Sequence, residues 1–247
     1  MRPEYNENKT PLHREKFLNT KQQLLCAWSG LVFLIIFMLG WLVIGGFVPP
    51  PSSAASATEI ADFYKQNTTA IRVGLLLAMG SCVFLVPWVA VISVQMKRIE
   101  GHSPILAYTQ MLSGLVAMLI ILFPTMIWVT VSFRPERNPE IMLALNDLAW
   151  LIFTMAFAPF VTQGLAIGLA IFSDNSPQPV FPRWAGYFNI WAALAFVPSG
   201  LIVFFKSGPF AWDGLFGFWL PVGNFGVWFI IMLVLLLKAI RQQAGSN

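Results

Sequence analysis

Charge is scarce in this chain of 247 residues: 15 Lys and Arg with 11 Asp and Glu make up only 11% of it. A soluble globular domain carries roughly 25%. With 57% of the residues hydrophobic, the apolar excess must face lipid, and a water-soluble fold is excluded. Histidine and cysteine number two each. His13 and His102 both fall in polar stretches on the face assigned below to the cytoplasm. No pair of axial ligands exists for an intramembrane haem, and a zinc, copper or di-iron centre has no ligand set. We expect no metal and no cofactor. Cys26 and Cys82 sit inside apolar runs, where free cysteine is a small packing residue, and two cysteines make no disulfide scaffold. A nucleophile elbow, a phosphate-binding glycine loop and a deep acidic pair are also lacking. The balance favours a noncatalytic protein, and no motif ties the chain to a known family.

What is present is a set of six apolar runs, residues 24–47, 72–95, 105–132, 146–172, 184–205 and 214–237. Each has about the 20 residues that cross the hydrocarbon as a helix. The first run is too long for a signal h-region of about 7 to 15 residues and follows a polar segment, so it reads as a retained span. The expectation is an all-α integral membrane protein, a six-transmembrane-helix bundle forming one polytopic membrane domain over 1–247. Its polar N-terminal segment is 1–23 and its tail is 238–247.

Alternate connections carry unequal positive charge. One side holds Arg2, Lys9, Arg14, Lys16, Lys21, Lys97, Arg98, Arg183, Lys238 and Arg241; the other holds Lys65, Arg72, Arg134, Arg137 and Lys206. Positive loops stay cytoplasmic, which places both termini in the cytoplasm, with a bacterial inner membrane as the expected location. The net charge of +4 follows from this topology and calls for no nucleic-acid partner. Trp128, Trp150, Trp212 and Trp219 fall near the outer boundary and Trp28 and Trp184 near the inner one, the places that interfacial tryptophans prefer.

In the first outer connection, Ser56 and Glu59 have capping-box spacing. Ile60, Phe63 and Tyr64 share one helical face. A short amphipathic helix is expected over 57–66, either anchored at the interface or covering an outward cavity. Further on, Asn138 as a cap with Pro139 in the first turn marks the start of the fourth helix. That brings Asn146 and Asp147 to the outer edge of the hydrocarbon, with Asp213 beside the last point of membrane entry. Ionisable groups near lipid are costly and need partners; Arg134, Arg72, Arg137 and Lys206 are the available counterions.

Pro87, Pro124, Pro159, Pro198 and Pro221 lie within or just inside the later spans, where each removes a backbone donor and bends its helix. Kinks at similar depth open a bundle around a cavity. Gln163, Asn189 and Asn224 are costly to expose to lipid and should face other helices. Gly164 and Gly168, four apart, mark a close helix contact or the face of a homo- or hetero-oligomer. Arg183 beside Trp184 is an interfacial anchor or a site for an anionic lipid headgroup.

The sequence therefore points to a protein that binds or passes a small hydrophobic or amphiphilic molecule through an outward-opening, aromatic-lined cavity, with membrane lipids as its surroundings. The alternative is a noncatalytic accessory or scaffold subunit of a larger membrane complex. Carboxylate catalysis by Asp147 or Asp213 ranks below both.

Overall fold

The computed structural model describes residues 11–245, with side chains from residue 19 onward. Arg2 and Lys9 lie outside the described residues, as do the side chains of His13, Arg14 and Lys16. Among the described residues all regular structure is helical, without a strand. Six stretches are long and apolar enough to cross a membrane: Asn19–Ile44, Thr68–Glu100, Ile105–Phe133, Pro139–Ser173, Arg183–Phe204 and Leu215–Gly245. Each overlies one of the six apolar runs. The chain is a multi-pass membrane protein.

Short connections force sequential spans to lie side by side and antiparallel. Here every span packs on its neighbours in the chain, and the sixth returns to pack on the first. The six spans thus close a ring. Gln95 of the second span bonds Gln23 and Gln243, which brings the two described ends of the chain together at what we call the terminal end. The connections at residues 45–67 and 205–214 meet at the opposite, distal end, where Trp212 Nε1 donates to the Pro51 carbonyl at 2.9 Å.

The helix starts follow local chemistry. Asn138 Oδ1 accepts from the Glu140 amide at 2.8 Å, with Pro139 in the first turn. The third span is capped from outside by Glu100, whose carboxylate accepts from the amides of Leu106 and Ala107 at 2.8 and 2.7 Å. At its other end Arg72 donates to the carbonyls of Ser132 and Phe133. Arg72 is thus a cap, answering the orphan carbonyls of a helix terminus. The loop helix Ala57–Gln66 begins with a capping box, Ser56 and Glu59 each accepting from the other's backbone amide. These contacts hold the exposed Glu59 carboxyl below its usual range: the Ser56 amide contributes most, its hydroxyl adds to it, and desolvation opposes both. The buried residues Ala57, Ile60, Ala61 and Tyr64 turn this helix onto the bundle, mainly against the start of the fourth span.

Five of the six spans lose regular α geometry along their length, in the middle or toward the distal end. The first ends in a π segment, Met38–Ile44. The second has a 3-10 turn at Cys82–Phe84, just ahead of Pro87. The fourth breaks between Pro139–Met155 and Ala158–Ser173, so Pro159 stands in the first turn of a new helix. In the fifth, Arg183–Leu194 passes into the 3-10 segment Val197–Phe204, which contains Pro198. The sixth starts with the π segment Leu215–Trp219, and Pro221 follows in the first α turn. Four of the prolines stand at or next to these breaks, where a missing N–H costs least. The third span continues as α-helix through Pro124.

Candidate functional site

Inside the ring lie two small chambers walled almost wholly by apolar side chains. The first, of about 40 Å³, draws its walls from spans two to six, including Trp88, Ala117, Gln163, Asn189, Phe229 and Trp228. The second, of about 60 Å³, is bounded by Phe37, Trp41, Phe153, Thr154, Phe218 and Pro221 among others, from spans one, three, four, five and six. Ile121, Phe160, Phe196 and Phe225 belong to both walls. The chambers therefore adjoin along the ring axis, and all six spans contribute to them. Phe160 and Phe196 stack at 4.8 Å between centroids on the shared wall.

Distal to the second chamber the interior is filled by rings. Trp41, Trp128 and Trp150 lie 5.0 to 6.2 Å apart. Phe47 meets Trp128 at 4.8 Å, Phe153 meets Trp41 at 4.9 Å, and Trp212 stacks on Trp150 at 6.3 Å. The irregular backbone delivers several of them: the two π segments carry Trp41 and Phe218, which meet at 6.0 Å. Trp128, Trp150 and Trp212 are buried, which corrects the expectation that they form an interfacial belt. Edge-to-face and offset contacts among them are favourable beyond the area they bury, and they face inward. Trp28, Trp184 and Trp219 remain about half exposed, as interfacial residues would be.

The buried and half-buried indoles of the interior divide into two groups. Trp212 Nε1 donates to Pro51 and Trp228 Nε1 to Asn189 Oδ1, both at 2.9 Å. The Nε1 atoms of Trp41, Trp88, Trp128 and Trp150 are enclosed without a hydrogen-bond partner. Buried polar groups are nearly always partnered, and each orphan donor costs about 1 to 3 kcal/mol. Trp41 and Trp88 are chamber walls. Sequence reasoning passed over both; for Trp88 the available signal was its position in the middle of the second span, away from either interface.

Of the polar residues singled out from sequence, Gln163 and Asn189 converge on the first chamber. Asn189 is fully engaged, donating to the Ala185 carbonyl at 2.8 Å while accepting from Trp228. Asn224 donates to the Ala192 carbonyl at 2.9 Å, joining the sixth span to the fifth. Gly164 and Gly168 turn toward the fifth span of the same chain: a methyl group at Gly164 would stand 2.8 Å from the Ala193 side chain and the Asn189 carbonyl, and one at Gly168 2.8 Å from Ile190. This close contact is internal. Arg183 lies over the Phe172 ring, its guanidinium 5.5 Å from the centroid.

The expected distal polar constellation is assembled only in part. Asn146 is fully buried and accepts from Tyr64 Oη at 3.0 Å, tying the loop helix to the fourth span. Burial pushes the Tyr64 hydroxyl well above the ordinary tyrosine range. Asp147 carries a buried Oδ1 without a partner, and the charge of Lys206 is near enough to act on it. Ser53 Oγ bonds both the Lys206 carbonyl and Asp213 Oδ1, at 2.8 and 2.9 Å. Arg134, expected as a counterion, has turned onto the Phe133 ring at 6.0 Å, and Arg137 reaches the Thr130 carbonyl. Among the described residues no three His, Cys, Asp or Glu side chains converge as a metal site would require.

No protein-family model, curated protein or solved structure matches the chain. The functional reading therefore rests on the site itself.

Proposed function

We propose that this membrane protein binds a small hydrophobic or amphiphilic molecule in the aromatic-lined interior of its six-span ring. One observation carries the reading: two adjoining chambers bounded by side chains of all six spans, in the place where a bundle of this size would otherwise close on a packed core. Each chamber exceeds the roughly 10 to 15 Å³ that admits one water, yet its walls are apolar and the walls carry no charged side chain. Such a space suits a very small neutral, apolar occupant, or one end of a longer apolar chain.

The ten-to-five distribution of Lys and Arg supports cytoplasmic termini, which makes the distal end the outer one. On that orientation the loop helix Ala57–Gln66, with Tyr64 bonded to Asn146, lies at the outer end, separated from the second chamber by the packed rings of Trp41, Trp128 and Trp150.

Filling the cavity tests the reading. In lipid nanodiscs, the wild-type protein is expected to take up xenon, an apolar probe small enough for chambers of this size, beyond the amount dissolved in the lipid. Ala117→Phe, which projects a ring into the first chamber, is expected to lower the excess while retaining the helical circular dichroism. Equal uptake by wild type and variant, or none by either, would overturn the proposal.

A further inference from the structure

A groove of a different kind runs on the lipid-facing surface, apart from the two chambers. Asn224 bonds the Ala192 carbonyl and Trp228 bonds Asn189, joining the sixth span to the fifth. Otherwise the helices Arg183–Leu194 and Leu220–Gly245 touch sparingly. Between the terminal half of the sixth span and the entry to the fifth lies a groove of about 480 Å³, many times the volume of either chamber. We propose that this groove holds an anionic phospholipid of the leaflet at the terminal end, one acyl chain lying along the sixth span and the headgroup meeting Lys238.

The groove is amphiphilic along its length. Ile230, Ile231, Val234 and Leu235 form its apolar floor, and one turn further on stands Lys238, exposed and the first charge after the apolar run 214–237. Trp184, half exposed on the opposite wall, sits where an interfacial indole is at home. Among the described residues that wall the groove, Lys238 is the one charged side chain. Asp174, the carboxylate of the adjoining connection, is engaged by Ser176, by the Val180 amide and by the charge of Arg98. Arg241, exposed one turn beyond Lys238, adds a second positive charge on that side. The matching partner has a negative head and a long apolar tail. Lys238 stands about 12 Å along the helix from Ile230 at 1.5 Å per residue, most of the roughly 15 Å that one leaflet contributes to the hydrocarbon. Ile230 and Ile231 also wall a second apolar groove with Leu34, Gly223 and Gly226, so the tail has room to continue. Arg183, which the sequence singled out for a headgroup, lies over the Phe172 ring and is not part of these walls.

Dioleoyl phosphatidylglycerol and dioleoyl phosphatidylcholine share their chains and differ in net headgroup charge. Native mass spectrometry of the full chain, released from detergent with the two lipids added in equal amounts, reads which one is retained. Wild type is expected to retain phosphatidylglycerol about fivefold more strongly, the worth of one lysine beside an anionic lipid. Lys238→Gln is expected to erase that preference, and Arg183→Gln to leave it in place. Val234→Trp, which projects a ring into the groove and keeps the lysine, is expected to weaken retention of both lipids. A wild type without preference, a Lys238→Gln variant that keeps it, or an Arg183→Gln variant that loses it as fully would each overturn the proposal. Unchanged retention by Val234→Trp would overturn it too, because headgroup charge at the surface would then account for the binding without the groove.

Discussion

The two halves of the bundle solve the same problem in opposite ways. Lipid gives helices no hydrophobic reason to associate, so contact must come from packing and hydrogen bonds. In the terminal half the helices are regular and polar side chains join them. Gln95, fully buried, donates to Gln23 and Gln243; Arg98 donates to Gln95 and to the Ala239 carbonyl at 3.1 Å; Ser93 bonds Gln110 and the Ala107 carbonyl. Gln110 Nε2 is the exception left unpartnered. In the distal half the backbone departs into π and 3-10 turns, rings fill the interior, and three neighbouring indoles keep their protons to themselves. The first arrangement fixes the helices to one another. The second fills the space between helices with rings at the cost of enclosed, unpartnered indole donors.

The sharpest way to break this contrast is at Gly40 and Gly74, where the π segment of the first span rests on the second. A methyl at Gly74 would collide with the backbone of Gly40 and Gly45, which unlike a side chain cannot swing aside. Gly74→Ala is therefore expected to cost about 3 kcal/mol, read as a lowered midpoint of unfolding in mixed micelles. Next in size is Gln95→Leu, which removes the acceptor of the half-buried Arg98 guanidinium and the donor to Gln23. About 2 kcal/mol is expected, and a loss near zero would mean that the terminal half is held by packing alone.

Tryptophan-to-phenylalanine exchange compares spent with unspent indoles directly. Trp228→Phe leaves Asn189 Oδ1 without its donor and should cost about 2 kcal/mol, whereas Trp128→Phe breaks no hydrogen bond and should cost about 1 kcal/mol or less. Equal losses in the same unfolding assay would erase the distinction between the two groups of rings.

The smallest effect belongs to Asp174, just past the fourth span at the terminal end. Burial pushes its carboxyl up, but bonds from the Ser176 hydroxyl and the Val180 and Ser176 amides, with Arg98 nearby, outweigh it and hold the carboxyl below its ordinary value. A depressed folded pKa stabilises the fold above the unfolded value and loses that contribution as pH falls through the folded one. The stability gap between wild type and Asp174→Asn should accordingly be present at neutral pH and vanish in acid; a gap independent of pH would show that the charge contributes nothing.

How legible this was in the sequence differs with the kind of residue. The six spans, the Ser56 and Asn138 caps and the inward direction of Gln163, Asn189 and Asn224 could be read directly, because hydropathy, cap chemistry and the cost of a polar group in lipid are local properties. Four of the prolines marked backbone breaks for the same reason. Trp128 and Trp150 were misread: tryptophan near a span end suits both an interface and a core, and composition does not separate the two. Arg72 and Arg134 were read as counterions, although the fold brings Arg72 to the carbonyls ending the third span and Arg134 to an adjacent ring.

What the sequence determined by itself was a solvent and a count. So little charge and such long apolar runs admit lipid and six crossings, whatever the partners of any single residue. That the sixth span closes on the first, that Phe160 and Phe196 stand between two chambers, and that the indole N–H groups of Trp41 and Trp88 are enclosed without a partner were decided only by tertiary structure. Those features depend on which faces of distant helices meet, and a ring's neighbours across a bundle leave no trace in its neighbours along the chain.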